Sequence, residues 1–194
     1  MIIPLDKSDA LLLVDVQNDF LEGGSLAVPD ANAILPVLNN YLALFAKRSL
    51  PVIASRDWHP AGHCSFVENG GQWPTHCVAE TAGAAFSQSL VLPASCHIVS
   101  KATTADHEAY SGFDGTTLAA HLQQHGIKRL FVGGLATDYC ILQTVLDALK
   151  NGFAVVLLGD AIRAVDVQRG DGAQAIATMI ESGAQTAKFT DIES

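Results

Sequence analysis

The chain has 194 residues, of which 49% are hydrophobic and 16% are charged, and its formal net charge is -9 at pH 7. The length predicts a single domain, residues 1–194, with a sizeable core, and the composition excludes a disordered chain. The acidic charge, without a basic patch or tail, argues against nucleic acid and anionic membrane surfaces as partners.

The cellular location of the protein is also predicted from the sequence. The longest apolar runs are strand-sized and too short to cross a bilayer, and residues 1–9 carry no signal-peptide pattern. Four scattered cysteines in a chain of this length are typical of reduced thiols rather than of a disulfide framework. The sequence therefore predicts a soluble cytoplasmic protein.

Strand-like and helix-like segments alternate from one end of the chain to the other. Continuous apolar runs predict five strands and a weaker sixth, at residues 10–16, 51–56, 96–101, 128–135, 153–159 and 184–189. Helical periodicity predicts helices at residues 31–48, 116–125, 138–150 and 168–182. This alternation predicts a three-layer α/β/α domain with a doubly wound, parallel, six-stranded sheet of the Rossmann-like kind.

Charged residues stand at the ends of the first and third predicted strands. These residues are Asp15 and Lys101, and ligands in open α/β sheets gather beyond the carboxyl ends of the strands. A carboxylate after an apolar strand is costly unless it serves a site, and a nearby cation would hold it ionised and a thiol deprotonated. The simpler alternative is that each is a strand-end charge in solvent.

The long irregular stretch after the second strand carries a set of metal-ligand side chains. Asp57 and His59 are two residues apart, so in an extended segment they point the same way. A Pro-Ala-Gly turn could return His63 to the same place, and a following Trp-Pro step could position His76. One carboxylate and three imidazoles form a ligand set for one divalent metal ion, with zinc, manganese and iron all suitable.

Two other interpretations of this stretch stay open. Histidine is also common as an ordinary surface or core residue, and these side chains need not converge. Cys64 and Cys77 each follow a histidine, which allows a structural zinc cluster with thiolate ligands. The usual Cys-x2-4-Cys spacing of such clusters is absent, however, which argues against this alternative.

The fourth predicted strand leads directly into the third predicted helix. Thr137 or Asp138 is predicted to cap that helix, which places Cys140 in its first turn. Free amides and the positive end of the helix dipole there favour a thiolate and can stabilise an oxyanion. Gly133 and Gly134 are expected to let the backbone turn and to leave room for a substrate. The alternative is that Cys140 is a small buried hydrophobic residue.

Six segments carry a resemblance to a known family. They are Asp15-Val16-Gln17-Asn18-Asp19-Phe20, residues 57–63, Trp73-Pro74-Thr75-His76-Cys77, Lys101, Tyr110-Ser111-Gly112-Phe113 and Gly134-Leu135-Ala136-Thr137-Asp138-Tyr139-Cys140. Together they resemble the nicotinamidases, the pyrazinamidase/nicotinamidase branch of the isochorismatase-like cysteine hydrolases. The Asp-Val-Gln and Ala-Thr-Asp-x-Cys motifs mark the superfamily, and the metal cluster with Trp-Pro-x-His-Cys narrows it. The resemblance covers essentially the whole chain, with the motifs in the same order.

The resemblance implies a role for each of these residues. The catalytic triad would be Asp15, Lys101 and Cys140. The ligands of one divalent ion, zinc first among the options, would be Asp57, His59, His63 and His76, although family members differ in the spacing before the third ligand. A cis peptide would join Leu135 to Ala136, and the oxyanion hole would be the N–H groups of Ala136 and Cys140. The substrate-binding aromatic residues would be Phe20, Trp73, Tyr110 and Tyr139.

The implied activity is hydrolysis of nicotinamide to nicotinate and ammonia through a thioester, in NAD salvage, with pyrazinamide as a second substrate. One alternative is a related hydrolase of another small amide or of isochorismate, and another is a metal-binding or redox-thiol module without catalysis. Relatives of the first kind generally lack the metal cluster, so bound metal separates them from nicotinamidases. The sequence leaves open the native metal, a homo-oligomer, and any role beyond packing for Cys64, Cys77 and Cys96.

Overall fold

The computed structural model describes residues 2–193, which form a six-stranded sheet flanked by four α-helices. The strands are β1 (Asp9–Val14), β2 (Val52–Asp57), β3 (His97–Lys101), β4 (Arg129–Leu135), β5 (Ala154–Arg163) and β6 (Gln185–Ala187). The helices are α1 (Ile34–Lys47), α2 (Leu118–Gln124), α3 (Leu142–Lys150) and α4 (Asp171–Glu181). Within residues 2–193, no helix is long and apolar enough to span a bilayer.

All neighbouring strands are parallel, in the order β3-β2-β1-β4-β5-β6. The chain builds outward from β1 through β2 to β3, and then crosses back so that β4 pairs with the other side of β1. This reversal leaves a crevice at the carboxyl ends of β1 and β4, which is where open α/β sheets bind ligands. The predicted fold class, a doubly wound parallel six-stranded sheet, is confirmed.

The central strand β1 is buried on both faces because its side chains alternate between two cores. Leu11 and Leu13 belong to the core that packs against α1, whereas Leu12 and Val14 belong to the core that contains side chains of α2, α3 and α4. Burial on both faces accounts for the continuous apolar run in the sequence of this strand.

Two element boundaries near the crevice differ from the prediction. β5 continues to Arg163 instead of ending at residue 159, because it pairs with β4 again beyond a register shift between Val132 and Gly134. α3 begins at Leu142 instead of residue 138, because Thr137–Ile141 forms a wider π-helical turn. Turns of this kind are frequent at functional sites.

Candidate active site

Four charged or nucleophilic side chains come together at the carboxyl edge of four adjacent strands. Lys101 ends β3 and Asp57 ends β2, and the two are partners in the sheet register. Asp15 follows β1 directly, and Cys140 lies in the π-helical turn that follows β4. Because the strand order is β3-β2-β1-β4, these four residues also succeed one another across the sheet. All four are buried.

The ammonium group of Lys101 is the centre of this cluster. Its Nζ lies 2.5 Å from Asp57 Oδ1 and 3.0 Å from Asp15 Oδ2. It also donates to the carbonyl oxygen of Ala109 at 3.0 Å and lies 3.5 Å from Cys140 Sγ. Burial acts to lower the pKa of Lys101, but the two carboxylates raise it well above the usual value. Lys101 is therefore a fixed cation between two carboxylates and a sulfur.

The two carboxylates of the cluster differ in their affinity for a proton. Burial acts to raise the pKa of Asp57, but Lys101 and His59 outweigh it and leave this pKa below the usual value. At Asp15 burial dominates and raises the pKa, against the opposing effect of Lys101. Asp57 is therefore the permanent anion, and Asp15 is the carboxylate that accepts a proton more readily.

Cys140 is a neutral thiol in this environment. Burial raises its pKa well above the usual value, and the nearby Lys101 opposes this only in part. The predicted resting thiolate is therefore wrong, because the cost of burying a charge outweighs the neighbouring cation. The sulfur and a carboxylate oxygen of Asp15 lie within 4.8 Å of each other. Asp15 Oδ2 pairs with the Lys101 ammonium at 3.0 Å but accepts no hydrogen bond of good geometry among residues 2–193, so it keeps a lone pair for the thiol proton.

The turn that carries Cys140 is held differently from the prediction. Among residues 2–193, no side chain caps it, so the predicted cap by Thr137 or Asp138 is wrong. The carboxylate of Asp138 instead accepts hydrogen bonds from the N–H groups of Val165 at 3.0 Å and Asp166 at 2.8 Å. The acidic side chain therefore ties the turn to a distant loop rather than to its own first amides.

The backbone at the end of β4 differs from the expected role of Gly134 and agrees with the expected cis peptide. Gly134 has a φ of +126°, and a Cβ at this position would overlap the backbone of Val14. This glycine is therefore required for the close approach of β4 to β1, not for room around a substrate. A cis peptide bond joins Leu135 to Ala136, as the family resemblance implies.

His59 and His76 each present one free imidazole nitrogen beside Asp57. Nδ1 of His59 donates to the carbonyl oxygen of His76 at 3.0 Å, and Nδ1 of His76 donates to that of Pro74 at 2.8 Å. Because a carbonyl only accepts, both rings are in the tautomer whose Nε2 carries the lone pair. Burial lowers the pKa of His59 to about 4, so this ring is neutral near pH 7.

These three residues fit a divalent metal ion. The ligand atoms of Asp57, His59 and His76 all lie within 4.8 Å of one another. His59 Nε2 is buried without a hydrogen-bond partner among residues 2–193 and lies 3.8 Å from Asp57 Oδ1, so a cation would satisfy it. A carboxylate with neutral imidazoles, each oriented by a carbonyl on its other nitrogen, is a donor set of metal centres. Cys64 and Cys77 belong to no such group in the part of the chain that the structure describes.

His63 lies beside this group but is used differently. Its ring stacks on that of His59, with the centroids 4.2 Å apart. Its Nδ1 accepts from the N–H of Ser65 at 3.3 Å and lies 2.7 Å from the hydroxyl of that residue, and its Nε2 donates to the carbonyl oxygen of His107 at 3.0 Å. Its ligand atoms lie within 4.8 Å of those of His59 and Glu108, and they form no single group with all three other predicted ligands. The structure therefore brings the predicted fourth ligand close to His59, but not into one group with Asp57 and His76.

A narrow slot lined mainly by aromatic and aliphatic side chains lies beside Cys140, which is one of its lining residues. The four aromatic residues predicted to bind substrate all line it, namely Phe20, Trp73, Tyr110 and Tyr139, and so does Ala136. Trp73 Nε1 donates to the Tyr110 hydroxyl at 2.9 Å, and the Trp73 and Tyr139 rings meet edge to face at 5.0 Å. The remaining apolar lining, which had not been predicted, comes from Leu26, Val28 and Val165. Such a slot suits a flat ring with few polar groups.

Two buried polar side chains without a predicted role hold the carboxylates in place. Gln17 pairs with the backbone of Asp57, since its Oε1 accepts from the N–H and its Nε2 donates to the carbonyl oxygen, both at 2.8 Å. Ser55 donates from its hydroxyl to Asp15 Oδ1 at 2.7 Å. The sequence offered one signal for Ser55. It is a polar residue in a buried strand, and it lies two positions before Asp57, which places both side chains on the same face.

Fold and site together define a class of protein, the cysteine hydrolases built on a parallel α/β sheet. In that class a buried thiol is activated by a neighbouring carboxylate and lysine. The chain belongs to the isochorismatase family, since the family model of the isochorismatase domain matches residues 9–193.

Relatives within this family are nicotinamidases and pyrazinamidases. The chain is 38% identical to the nicotinamidase of Escherichia coli, over 95% of this chain and 96% of that protein. The pyrazinamidase of Pyrococcus horikoshii, solved in complex with zinc, superposes with a TM-score of 0.90 at 46% identity, over 94% of this chain and 99% of that one. PnC1 of L. infantum, solved in complex with nicotinate, superposes with a TM-score of 0.91 at 35% identity, over 100% of this chain and 99% of that one. The predicted place in the nicotinamidase branch is confirmed.

Proposed function

We propose that the protein is a nicotinamidase, which hydrolyses nicotinamide to nicotinate and ammonia and also accepts pyrazinamide. The observation that carries the proposal is the position of Cys140, which lines the aromatic slot and shares a buried cluster with Asp15 and Lys101. The nicotinamidase relative and the nicotinate complex of the L. infantum protein support this choice of substrate.

In the first half of the reaction Asp15 takes the proton of the Cys140 thiol. Lys101, with Nζ 3.5 Å from the sulfur, stabilises the thiolate as it forms. The sulfur attacks the carboxamide carbon, and the N–H groups of Ala136 and Cys140 stabilise the developing oxyanion. Asp15 then gives its proton to the amide nitrogen, the C–N bond breaks, and ammonia leaves a thioester on Cys140.

In the second half of the reaction a water molecule attacks the carbonyl carbon of the thioester. Asp15 is again an ionised base and takes a proton from this water. The C–S bond breaks, and the proton held by Asp15 passes to the departing sulfur of Cys140. The second proton of the water leaves the carboxylic acid for solvent, and nicotinate is released. The cluster thereby returns to its resting state, a neutral thiol beside a carboxylate and an ammonium.

We assign the metal ligands to Asp57, His59 and His76, and we propose zinc as the ion, with manganese and iron as the alternatives. The bound ion supplies a Lewis acid beside the slot, which favours a substrate whose ring carries a nitrogen. His63 is assigned a supporting role through its stack on His59, because both of its own ring nitrogens are engaged in hydrogen bonds. The zinc complex of the P. horikoshii pyrazinamidase supports the choice of ion.

The remaining parts of the proposal concern the protein as a whole. We propose a single domain for the chain, which the one sheet through the described residues 2–193 supports. The net charge of -9 supports the absence of nucleic acid among its partners. The free thiols of its cysteines support a cytoplasmic location, where reduced cysteine is stable.

Ammonia release with four amides tests this function. Nicotinamide and pyrazinamide should both be hydrolysed, because each has a nitrogen meta to the carbon that bears the carboxamide. Benzamide has the same ring shape and the same scissile bond without that nitrogen, and picolinamide has it in the wrong place. We expect both to be poorer by about 10²-fold in kcat/KM through misplacement of the amide. The absence of ammonia with nicotinamide would contradict the proposal, and equal rates with benzamide would contradict the role of the ring nitrogen.

A further inference from the structure

One wall of the slot belongs to a loop that is tied to the nucleophile turn by a single carboxylate. Residues 164–170 connect β5 to α4, and from this loop Val165 lines the slot. Asp138 lies two residues before Cys140 and holds the loop from the other side. Its Oδ1 accepts from the N–H of Val165 at 3.0 Å, and its Oδ2 accepts from the N–H of Asp166 at 2.8 Å. Both oxygens of one carboxylate therefore hold two consecutive amides.

The loop is held at a second point by α4. Asp166 has a φ of +52°, in the left-handed region that non-glycine residues rarely adopt. Its Oδ1 accepts from the N–H of Gly172 at 2.8 Å, in the first turn of that helix. Such a backbone conformation persists only where its surroundings specify it, and here Asp138 and α4 supply the hydrogen bonds that do so.

Val165 differs from the three mutually supporting aromatic residues of the slot in what holds it. Trp73, Tyr110 and Tyr139 support one another through a hydrogen bond and an edge-to-face contact. Val165 is a small aliphatic residue in an irregular loop, so its position follows from the backbone that Asp138 anchors. Hydrogen bonds from backbone N–H groups to a carboxylate are among the stronger ones in proteins. Because the same turn carries Cys140, the anchor also fixes the spacing between this wall and the sulfur.

We propose that Asp138 is a positioning residue that sets the width of the slot through Val165, and that Val165 restricts the enzyme to single-ring aromatic carboxamides. This inference rests on the proposed hydrolysis of nicotinamide. A wall that the nucleophile turn itself holds in place rejects a second, fused ring. The same wall leaves the single ring of nicotinamide correctly placed for attack by the sulfur.

The test compares nicotinamide with quinoline-3-carboxamide, which keeps the ring nitrogen and the amide in the same relation and adds a fused ring. The quantity measured is the ratio of kcat/KM for the bicyclic amide to that for nicotinamide. Val165→Ala removes two methyl groups from the wall, so we expect this ratio to rise by about 10-fold or more. Asp138→Asn leaves only one acceptor oxygen for two amides. It should raise the ratio in the same direction, by about 5-fold.

The matched control is Asp147→Asn on α3, which removes the charge of a carboxylate that takes no part in holding the loop. Its ratio should stay within about two-fold of the wild-type value. A purely structural role for Asp138 would lower kcat/KM for both amides in proportion, and an unchanged ratio in Asp138→Asn would therefore overturn the positioning role. If Asp138→Asn does not fold, as judged by circular dichroism, an unchanged ratio in Val165→Ala overturns the proposal by itself.

The same experiment separates this inference from the proposed function. If the wild-type enzyme hydrolyses nicotinamide but the ratio is unchanged in both variants, only this inference about Asp138 and Val165 is overturned, and the proposed function stands. A wild-type enzyme that releases ammonia from neither amide would overturn the proposed function and this inference with it.

Discussion

Two groups of three histidines lie at opposite ends of the parallel sheet. At the carboxyl end the rings are buried and meet at centroid distances of 4.2 Å and 4.8 Å, in the group His59, His63 and His76. At the amino end the group is His97, His121 and His125, in which the first two rings stack at 3.6 Å and the last two lie tilted at 4.3 Å. The second group lines a cavity of about 760 Å³, far larger than the slot beside Cys140.

The two groups differ in what surrounds the rings. Beside Asp57, the two Nδ1 atoms of His59 and His76 are occupied by carbonyl groups, so both Nε2 lone pairs are available near one carboxylate. Among residues 2–193, the amino-end histidines form no set of three convergent ligand atoms. Neither the number of histidines nor the size of a cavity therefore identifies the functional end. The fixed tautomers and the neighbouring carboxylate do.

The largest difference in activity should appear between substitutions of two cysteines, Cys140 at the carboxyl end of the sheet and Cys96 at the amino end. Burial raises the pKa of both thiols, to about 11 for Cys96, so both are neutral at pH 7. Only Cys140 has a carboxylate and an ammonium within reach. Cys140→Ala should lose about 10⁴-fold or more in kcat/KM for nicotinamide, because the nucleophile is gone. Cys96→Ala should stay within about two-fold. Ammonia release measures both, and substantial turnover by Cys140→Ala would remove Cys140 from the mechanism.

The next contrast compares one histidine of each group. His59→Ala removes a proposed ligand and should lose the bound metal and about 10²-fold in kcat/KM, because the substrate is no longer oriented. His121→Ala should keep both the metal content and the activity. Metal analysis of the purified proteins, together with steady-state kinetics, is the measurement. Full metal occupancy in His59→Ala would exclude this residue as a ligand. The two histidine groups would then not differ in metal binding by this test.

A smaller effect is expected within the functional group itself. His63→Ala should keep the metal at saturation but weaken its binding by about 10-fold, because the stack that orients His59 is lost. The matched control is His125→Ala, which should not change the affinity for the metal. Competition with a chromophoric chelator measures the affinity of each variant. A complete loss of metal from His63→Ala, equal to that of His59→Ala, would restore the assignment of His63 as a fourth ligand.

The smallest effect concerns stability at the amino end. His121→Ala should lower the free energy of unfolding by about 0.5–1.5 kcal/mol, the contribution of one aromatic stack, without changing activity. Burial, with His97 and His125, lowers the pKa of His121, so the unfolded chain binds its proton more readily. Acidification through the ordinary histidine range should therefore destabilise the wild-type protein more than His121→Ala. Chemical denaturation at pH 7 and pH 5 measures this difference, and an equal loss in both proteins would contradict it.

The sequence predicts the fold well because local patterns determine it. β1 and β4 are buried on both faces, and such strands carry continuous apolar runs that are visible in the local sequence. The pair of Asp57 and His59 could be predicted for the same reason, because alternation along an extended segment is a local property.

The features that the sequence did not predict depend on partners far along the chain. Asp138 satisfies a local capping rule, yet its carboxylate binds amides 27 and 28 residues away. The tautomer of His63 depends on the carbonyl oxygen of His107, 44 residues away, which no spacing of ligands can indicate. The neutral thiol of Cys140 depends on burial by segments from the whole chain. In each case tertiary packing overrides a correct local preference.

The order of the active groups across the sheet has a consequence for the protein while it is being made. The ribosome releases Asp15 first and Cys140 last of the four, and β4 pairs with β1 through contacts such as Val14 with Gly134. A nascent chain that ends before β4 therefore carries the base, the ammonium and the metal ligands without a nucleophile. Long-range parallel pairing of this kind is slow and requires both strands. Cys140 therefore gains its activating partners Asp15 and Lys101 only when β4 has docked beside β1.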